Sequence, residues 1–323
     1  MADLFNNHNK LLSLIIPCHN EATNIKPFMA ACTDALPPNY RYELIFVDDG
    51  SSDDTADIIA ALKPTASNIN VRLIELSRNF GKEMAVTAGL AAAQGGAAIV
   101  IDADLQHPPL LLPKFISAWE TGTEVVIGVR ADDKRYASFT KRQGSRMFYR
   151  LINSLSPVEI TPNATDYRLI DRVVIDAYNR FTEHNRMSRG LIDWLGFKRS
   201  YLTFTPAPRL NGEASYGLRK LTGLALNSII GMSLVPLKFA GYLGATITMF
   251  FGSLGAFIAV DTYVFNDPLR LNVANSVDLA VLILFLIGIV LMALGLVGLY
   301  IAAIHTEVSG RPLYITRPKR PIE

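Results

Sequence analysis

The feature that most restricts the fold of this chain is a pair of long uncharged runs near its C-terminus. No Asp, Glu, Lys or Arg occurs over the 22 residues from Phe239 to Val260, nor over the 26 from Leu279 to Ile304. A helix needs ~20 apolar residues to cross the hydrocarbon layer of a bilayer. Both runs reach that length, so two membrane helices are predicted, at about 235–263 and 279–304. Each run carries glycines at helical spacing: Gly241, Gly244, Gly252 and Gly255, then Gly288, Gly295 and Gly298. Small residues let membrane helices approach closely, although glycine is also simply frequent in such helices.

Orientation follows from Lys and Arg. The loop from Asp261 to Asp278 holds only Arg270, whereas the tail holds Arg311, Arg317, Lys319 and Arg320. The positive-inside bias puts the tail and the large N-terminal part in the cytoplasm. The first apolar stretch, Leu11–Ile16, is short and runs into Pro-Cys-His-Asn-Glu, so no signal peptide is expected. The predicted organisation is a domain over 1–208, a loop and juxtamembrane amphipathic helix over 209–233, two spans over 234–305, and a basic tail over 306–323.

Half of the residues are apolar and 19% are charged. That excludes a disordered chain. The 31 Lys and Arg against 29 Asp and Glu leave +2, too little long-range field for a nucleic-acid protein driven by bulk charge. The two cysteines, Cys18 and Cys32, make no disulfide framework, and a reducing compartment is the default.

In the N-terminal part, Ile- and Val-rich runs alternate with helical stretches. Leu11–Ile16, Glu43–Val47, Val71–Leu76, Ala97–Ile101 and Glu124–Ile127 read as strands. Glu21–Leu36, Asp53–Leu62, Gly81–Gln94 and Leu110–Thr121 read as helices. Ser52 before Asp53, Asp54 and Thr55 reads as a helix cap with acids in the first turn. The alternation predicts an open, mostly parallel, Rossmann-like α/β sheet, whose ligands bind beyond the carboxyl ends of the strands. Neither a GxGxxG nor a GxxxxGK[ST] fingerprint is present, which disfavours dinucleotide and P-loop chemistry.

Acidic clusters end three of these strands: Pro17-Cys18-His19-Asn20-Glu21, Val47-Asp48-Asp49-Gly50-Ser51, and Ile101-Asp102-Ala103-Asp104-Leu105-Gln106-His107-Pro108. Buried unpaired carboxylates are costly, so such groups meet water, a cation or a ligand. Asp102 and Asp104, two apart, would face one side of a regular strand. With Gln106 they offer hard oxygens suited to Mg2+ or Mn2+. Asp49-Gly50-Ser51 reads equally well as a plain turn.

The succession PCHNE, VDDGSSDDT, RNFGKEMAVTAGL and IDADLQHPP resembles the GT-A glycosyltransferases of the family-2 type. It is most similar to their polyprenyl-phosphate branch, and NRMSRGLIDWLGF (Asn185 to Phe197) resembles the bactoprenol glucosyltransferases. The resemblance covers essentially the whole chain. It implies that Pro17, Glu21 and Lys82 help seat the sugar nucleotide and that Asp48 or Asp49 meets the uracil or ribose. It places Asp102, Asp104 and Gln106 on a divalent metal at the diphosphate. Arg130 corresponds to a ligand of the lipid phosphate. It also implies a homo-oligomer, a tetramer in the family. Cys18-His19 departs from the family's usual pair, with little consequence for the assignment.

Two anionic substrates need cations between them. Arg142, Arg146 and Arg150 recur every four residues, as on one face of a surface-lying helix. That pattern fits lipid-phosphate binding or an ordinary solvated face. Arg209 opens a stretch, Arg209 to Lys220, that resembles the family's R-x-x-GE-x-x-Y-x-x-RK element, and it could neutralise the departing diphosphate. Asp166, in TDYRL, matches the family's DYRL-like position and is the candidate base or orienting group.

The implied reaction is inverting transfer of a hexose, glucose from UDP-glucose, onto undecaprenyl phosphate at the inner membrane of a bacterium. A mannose synthase using GDP-mannose and a non-enzymatic lipid-sugar transporter subunit are the alternatives.

Overall fold

The computed structural model describes residues 11–64, 66–131, 163–184, 186–206 and 276–318, and scattered helical positions between 237 and 260. It divides into one unit of Met1–Ser215 with Arg311–Glu323, and a second of Tyr216–Gly310.

The first unit is an α/β sheet. Its strands are β1 (Leu11–Cys18), β2 (Arg41–Asp48), β3 (Ile69–Glu75), β4 (Ala97–Val100), β5 (Val125–Arg130), β6 (Ala164–Asp171) and β7 (Arg199–Phe204). Its helices are α1 (Ile25–Ala35), α2 (Thr55–Ala60), α3 (Lys82–Ala92), α4 (Leu112–Glu120), α5 (Arg172–Tyr178) and α6 (Ser188–Trp194). The strand order is β3-β2-β1-β4-β6-β5-β7. β6 alone runs antiparallel to its neighbours β4 and β5, and the other pairs are parallel. The five expected strands and four expected helices all form; β6, β7, α5 and α6 are additional.

The inner strands β1, β2 and β4 bury both faces, as their continuous apolar runs require. Leu12, Leu14 and Ile16 of β1 pack with Phe28 of α1 and Phe115 of α4. Ile15 turns to the opposite layer with Ala85, Val86 and Leu90 of α3. Adjacent residues of a strand thus serve separate cores, which is the period-two geometry of the pleat. Ser13 is the polar exception: its hydroxyl donates to buried Glu43 at 2.6 Å.

The expected cap of α2 differs in detail. Ser52 pairs with Asn20, while Asp53 Oδ1 accepts from the Thr55 amide at 3.1 Å and from the Thr55 hydroxyl at 2.5 Å. The other Asp53 oxygen reaches the Ala22 amide, so one carboxylate ties two rim loops together.

In the second unit, α7 (Ser276–Val308) covers the second apolar run. Within it, Leu286–Val308 is long and apolar enough to cross a membrane, with a mean hydropathy of 2.6. Leu291, Met292 and Leu294 on it are exposed. Among the described residues it is the one helix that passes this test. In the first apolar run the described positions are helical, and the others lie outside the described residues.

Candidate active site

β1, β2 and β4 are mutually aligned, so their carboxyl ends open at one edge. Left-handed backbone gathers in the loops there: Asn20 after β1, Gly50 after β2, Leu105 after β4 and Asn163 before β6. Such conformations in non-glycine residues cost on the order of 1 kcal/mol and concentrate at functional sites. Gly50 is required twice over. Its φ is +65°, and an added Cβ would lie 2.4 Å from the Arg78 carbonyl carbon.

Asp48 and Asp49 are both buried. Asp48 accepts from the Ser51 hydroxyl and, at 3.3 Å, from the Ser51 amide. Asp49 uses both oxygens on backbone: Phe80 N at 2.7 Å and Gly81 N at 2.9 Å. The second carboxylate therefore clamps the loop between β3 and α3. Pro17 is buried in β1, in register with Val47. Glu21 accepts from the Asn24 amide at 2.5 Å. Burial pushes the Glu21 carboxyl above its ordinary value; Asn24 opposes this, and the charges of Asp104 and Asp102 add to it.

Asp102 and Asp104 do not continue the strand, which ends at Val100; they sit in a turn around buried Ala103. The turn still presents both carboxylates and Gln106 to one cleft. His107 props it from beneath. Its ring stacks on Tyr167 at 5.2 Å, and its Nδ1 lies 3.5 Å from Asp102 Oδ2. Burial holds its pKa below the ordinary value.

The antiparallel strand supplies the opposite wall. Val100 pairs with Arg168, so two residues further on the ladder directs Asp166 towards Asp102. Lys82 Nζ lies between them, 2.6 Å from Asp102 and 3.1 Å from Asp166. Arg189 Nε stands 3.8 Å from Asp166. Burial pushes the Asp166 pKa up, but Lys82 and Arg189 outweigh it and hold the carboxyl below its ordinary value. Burial likewise pulls the Lys82 pKa down, and Asp102 and Asp166 reverse this to raise it well above the usual lysine range.

A polar cleft of about 360 Å³ joins these groups. Lys82, Asp102, Asp104, Gln106, His107, Arg130, Asn163, Asp166 and Arg189 all line it. Arg130 closes one side, its guanidinium 3.4 Å from Gln106 Oε1. Among the described residues no three His, Cys, Asp or Glu converge into a ready cation cage. Two carboxylates and an amide oxygen open to a cleft fit a hard divalent ion that completes its shell with substrate phosphate and water.

The structure thus brings together Lys82, Asp102, Asp104, Gln106, Arg130 and Asp166. It places Pro17, Glu21, Asp48 and Asp49 on the adjoining rim. Arg142, Arg146 and Arg209 lie outside the described residues. Arg189 and His107 are additions to the set expected from sequence. His107 stood inside the DADLQHPP motif. Arg189 stood inside a stretch quoted only for resemblance, and nothing local marks it as facing Asp166.

This strand order, with acids after β4 and a cationic wall across the cleft, defines a GT-A glycosyltransferase. The model of glycosyl transferase family 2 matches residues 13–178, and the chain belongs to that family. The chain is 36% identical over 95% of its length to the bactoprenol glucosyl transferase of Shigella phage SfII, covering 97% of that protein. It is 34% identical, over 95% of this chain and 98% of the relative, to the prophage bactoprenol glucosyl transferase homolog of Escherichia coli (strain K12). An uncharacterized glycosyltransferase of Synechocystis is 36% identical over 94% of both chains.

Proposed function

We propose that this glycosyltransferase moves glucose from UDP-glucose onto a polyprenyl phosphate, undecaprenyl phosphate, at the cytoplasmic face of a bacterial inner membrane. The observation that carries the reading is the cleft itself: three carboxylates and an amide oxygen face Lys82, Arg130 and Arg189 in one polar volume. The names of the full-length relatives support the lipid acceptor. The two uncharged runs support two spans with both termini cytoplasmic, and their glycines support a homo-oligomer within the membrane.

Asp102, Asp104 and Gln106 would hold Mg2+ or Mn2+. When bound, that ion supplies Lewis-acid charge to the departing diphosphate. Arg130 and Arg189 take anionic oxygen from the two substrates and lower their mutual repulsion. The acceptor phosphate, with a second pKa of about 6, is already largely ionised at neutral pH. It can attack the anomeric carbon in line, inverting it, without losing a proton to the protein. Asp166, held at low pKa by two cations, is a poor base. Its role is to aim Lys82 and Arg189 at the reacting phosphates.

The deciding experiment incubates membranes carrying the protein with labelled UDP-glucose and added undecaprenyl phosphate. Label is expected in a lipid product only with divalent metal and acceptor. Transfer from GDP-mannose instead would overturn the donor assignment, and no transfer to lipid from either donor would overturn the acceptor.

A further inference from the structure

The tail after α7, read from sequence only as basic, is built into the catalytic unit from Arg311 onward. Leu76 and Thr316 form an antiparallel bridge just beyond the end of edge strand β3. Ser77 N donates to the Ile315 carbonyl at 2.8 Å, and Arg317 N donates to the Glu75 carbonyl at 2.8 Å. Tyr314 packs against the core layer that contains Leu76, Ala85 and Ile192, as does Phe80. The Arg311 carbonyl meets His184.

The position of this contact is what gives it consequence. Ser77 opens the loop that runs through Arg78, Asn79, Phe80 and Gly81 into Lys82. That loop has no regular secondary structure. Asp49 clamps its far end through the amides of Phe80 and Gly81. The tail clamps its near end through Ser77, and its Tyr314 packs on the same core layer as Phe80. Between these two anchors the Asn79 carbonyl accepts from the Arg78 guanidinium at 2.9 Å and the Asn79 side chain meets His19 at 3.1 Å, and Lys82 follows directly.

The geometry points to the segment Arg311–Arg317 as a positioning strap: a backbone splint that holds the β3–α3 loop and thereby sets where Lys82 meets Asp102 and Asp166. Among the described residues the strap's backbone bonds go to Glu75, Ser77 and His184, none of which lines the cleft, so its route to Lys82 is the loop. Its kinetic consequence rests on the proposed transfer reaction; its structural consequence does not.

Two variants of the full-length protein test it. One ends after Gly310. The other is Arg317→Pro, which deletes the amide that donates to Glu75 while keeping the chain length. Amide hydrogen exchange over 77–82 reads the loop directly, whatever the substrate. Both variants are expected to exchange faster there than the parent while α1 and α4 stay protected. In the transfer assay kcat is expected to fall by roughly ten- to a hundredfold, the scale of a misplacement of about 1 Å, with the acceptor KM little changed. A synthetic peptide of residues 309–323 should restore both protection and rate to the truncated form. Exchange over 77–82 equal to the parent's would overturn the strap, as would faster exchange with parental kcat. If the parent itself transfers no sugar, the proposed reaction fails, and the exchange measurement still decides whether the tail splints the loop.

Discussion

Asp102 and Asp166 face each other beyond the last paired residues of β4 and β6, with the Lys82 ammonium within 3.1 Å of both. Like charges placed opposite on neighbouring strands repel, so the cation between them is a structural requirement as well as a chemical one. Lys82→Met leaves the two carboxylates unbalanced. Transfer should fall by about 10²-fold or more, the loss typical when one preorganised electrostatic partner is removed. Lys82→Arg should recover part of it. The pH profile adds a sign. Lys82 helps hold Asp166 below its ordinary pKa, so without it the acidic limb of the rate profile should move to higher pH. A limb that stays in place would show that Asp166 does not need Lys82 to remain ionised.

Asp104 has fewer obligations within the protein. Its Oδ1 accepts from the Gln106 amide at 3.0 Å, and it makes none of the ion pairs that bind Asp102. Asp104→Ala should therefore fold normally and lose transfer, and chelation should do the same to the parent. Full activity of the variant together with chelator-resistant turnover would remove the metal from the reading. Arg130→Ala should raise the requirement for lipid phosphate more than that for the sugar nucleotide; the opposite ranking would move Arg130 to the donor.

Much of this was legible in sequence because local and global signals agreed. Buried parallel strands write themselves as continuous apolar runs, and three of them, β1, β2 and β4, ended in the acids that now line the edge. What stayed hidden was non-local. β6 lies more than thirty residues beyond β5 in the chain and inserts between β4 and β5 in the opposite direction, which no periodicity reports. Its Arg168 reads as a polar break in TDYRLI, yet the guanidinium is buried on Asp193 at 2.9 Å. A buried ion pair is invisible until both halves are placed. Asp49 shows the converse: DDGS marks a site residue, and its carboxylate is spent on two loop amides. The tail carried only a basic composition, and its pairing with Leu76 depends on an edge strand 240 positions earlier.

Arg189 is the cation the sequence did not single out. Its Nε is buried with no hydrogen-bond partner among the described residues, and it stands next to Asp166 at the cleft. An unpaired buried donor costs about 1–3 kcal/mol, a cost that a bound phosphate oxygen would relieve. Arg189→Ala should lower kcat/KM by about 10²-fold, and Arg189→Lys should restore less than half of that, because an ammonium cannot reproduce the guanidinium fork. Titrating UDP and a short-chain phosphate monoester as separate competitors identifies which substrate it meets: only the one it contacts should lose affinity. Unchanged affinity for both would make Arg189 a partner of Asp166 alone.

Glu43 offers a test of the fold away from the cleft. Its carboxylate accepts from Ser13 Oγ, Arg72 Nη1 and the Gln94 amide, each at 2.6 Å, at the base of β1, β2 and β4. Burial pushes its pKa up, and these donors outweigh burial to leave it below the ordinary value of 4.5. A carboxyl whose pKa is lower in the folded state stabilises the fold above its unfolded value. That contribution drains away as pH falls through the folded value. Glu43→Ala should cost about 2–3 kcal/mol at neutral pH, short of the range for a fully buried pair because Arg72 is partly exposed. Glu43→Gln, which does not titrate, should differ most from the parent at pH 7. The difference should shrink below about pH 4.5, the ordinary carboxyl value. Unfolding curves of the two proteins in detergent across pH 3–7 measure it, and a difference that is constant with pH would mean that Glu43 is not ionised in the native sheet.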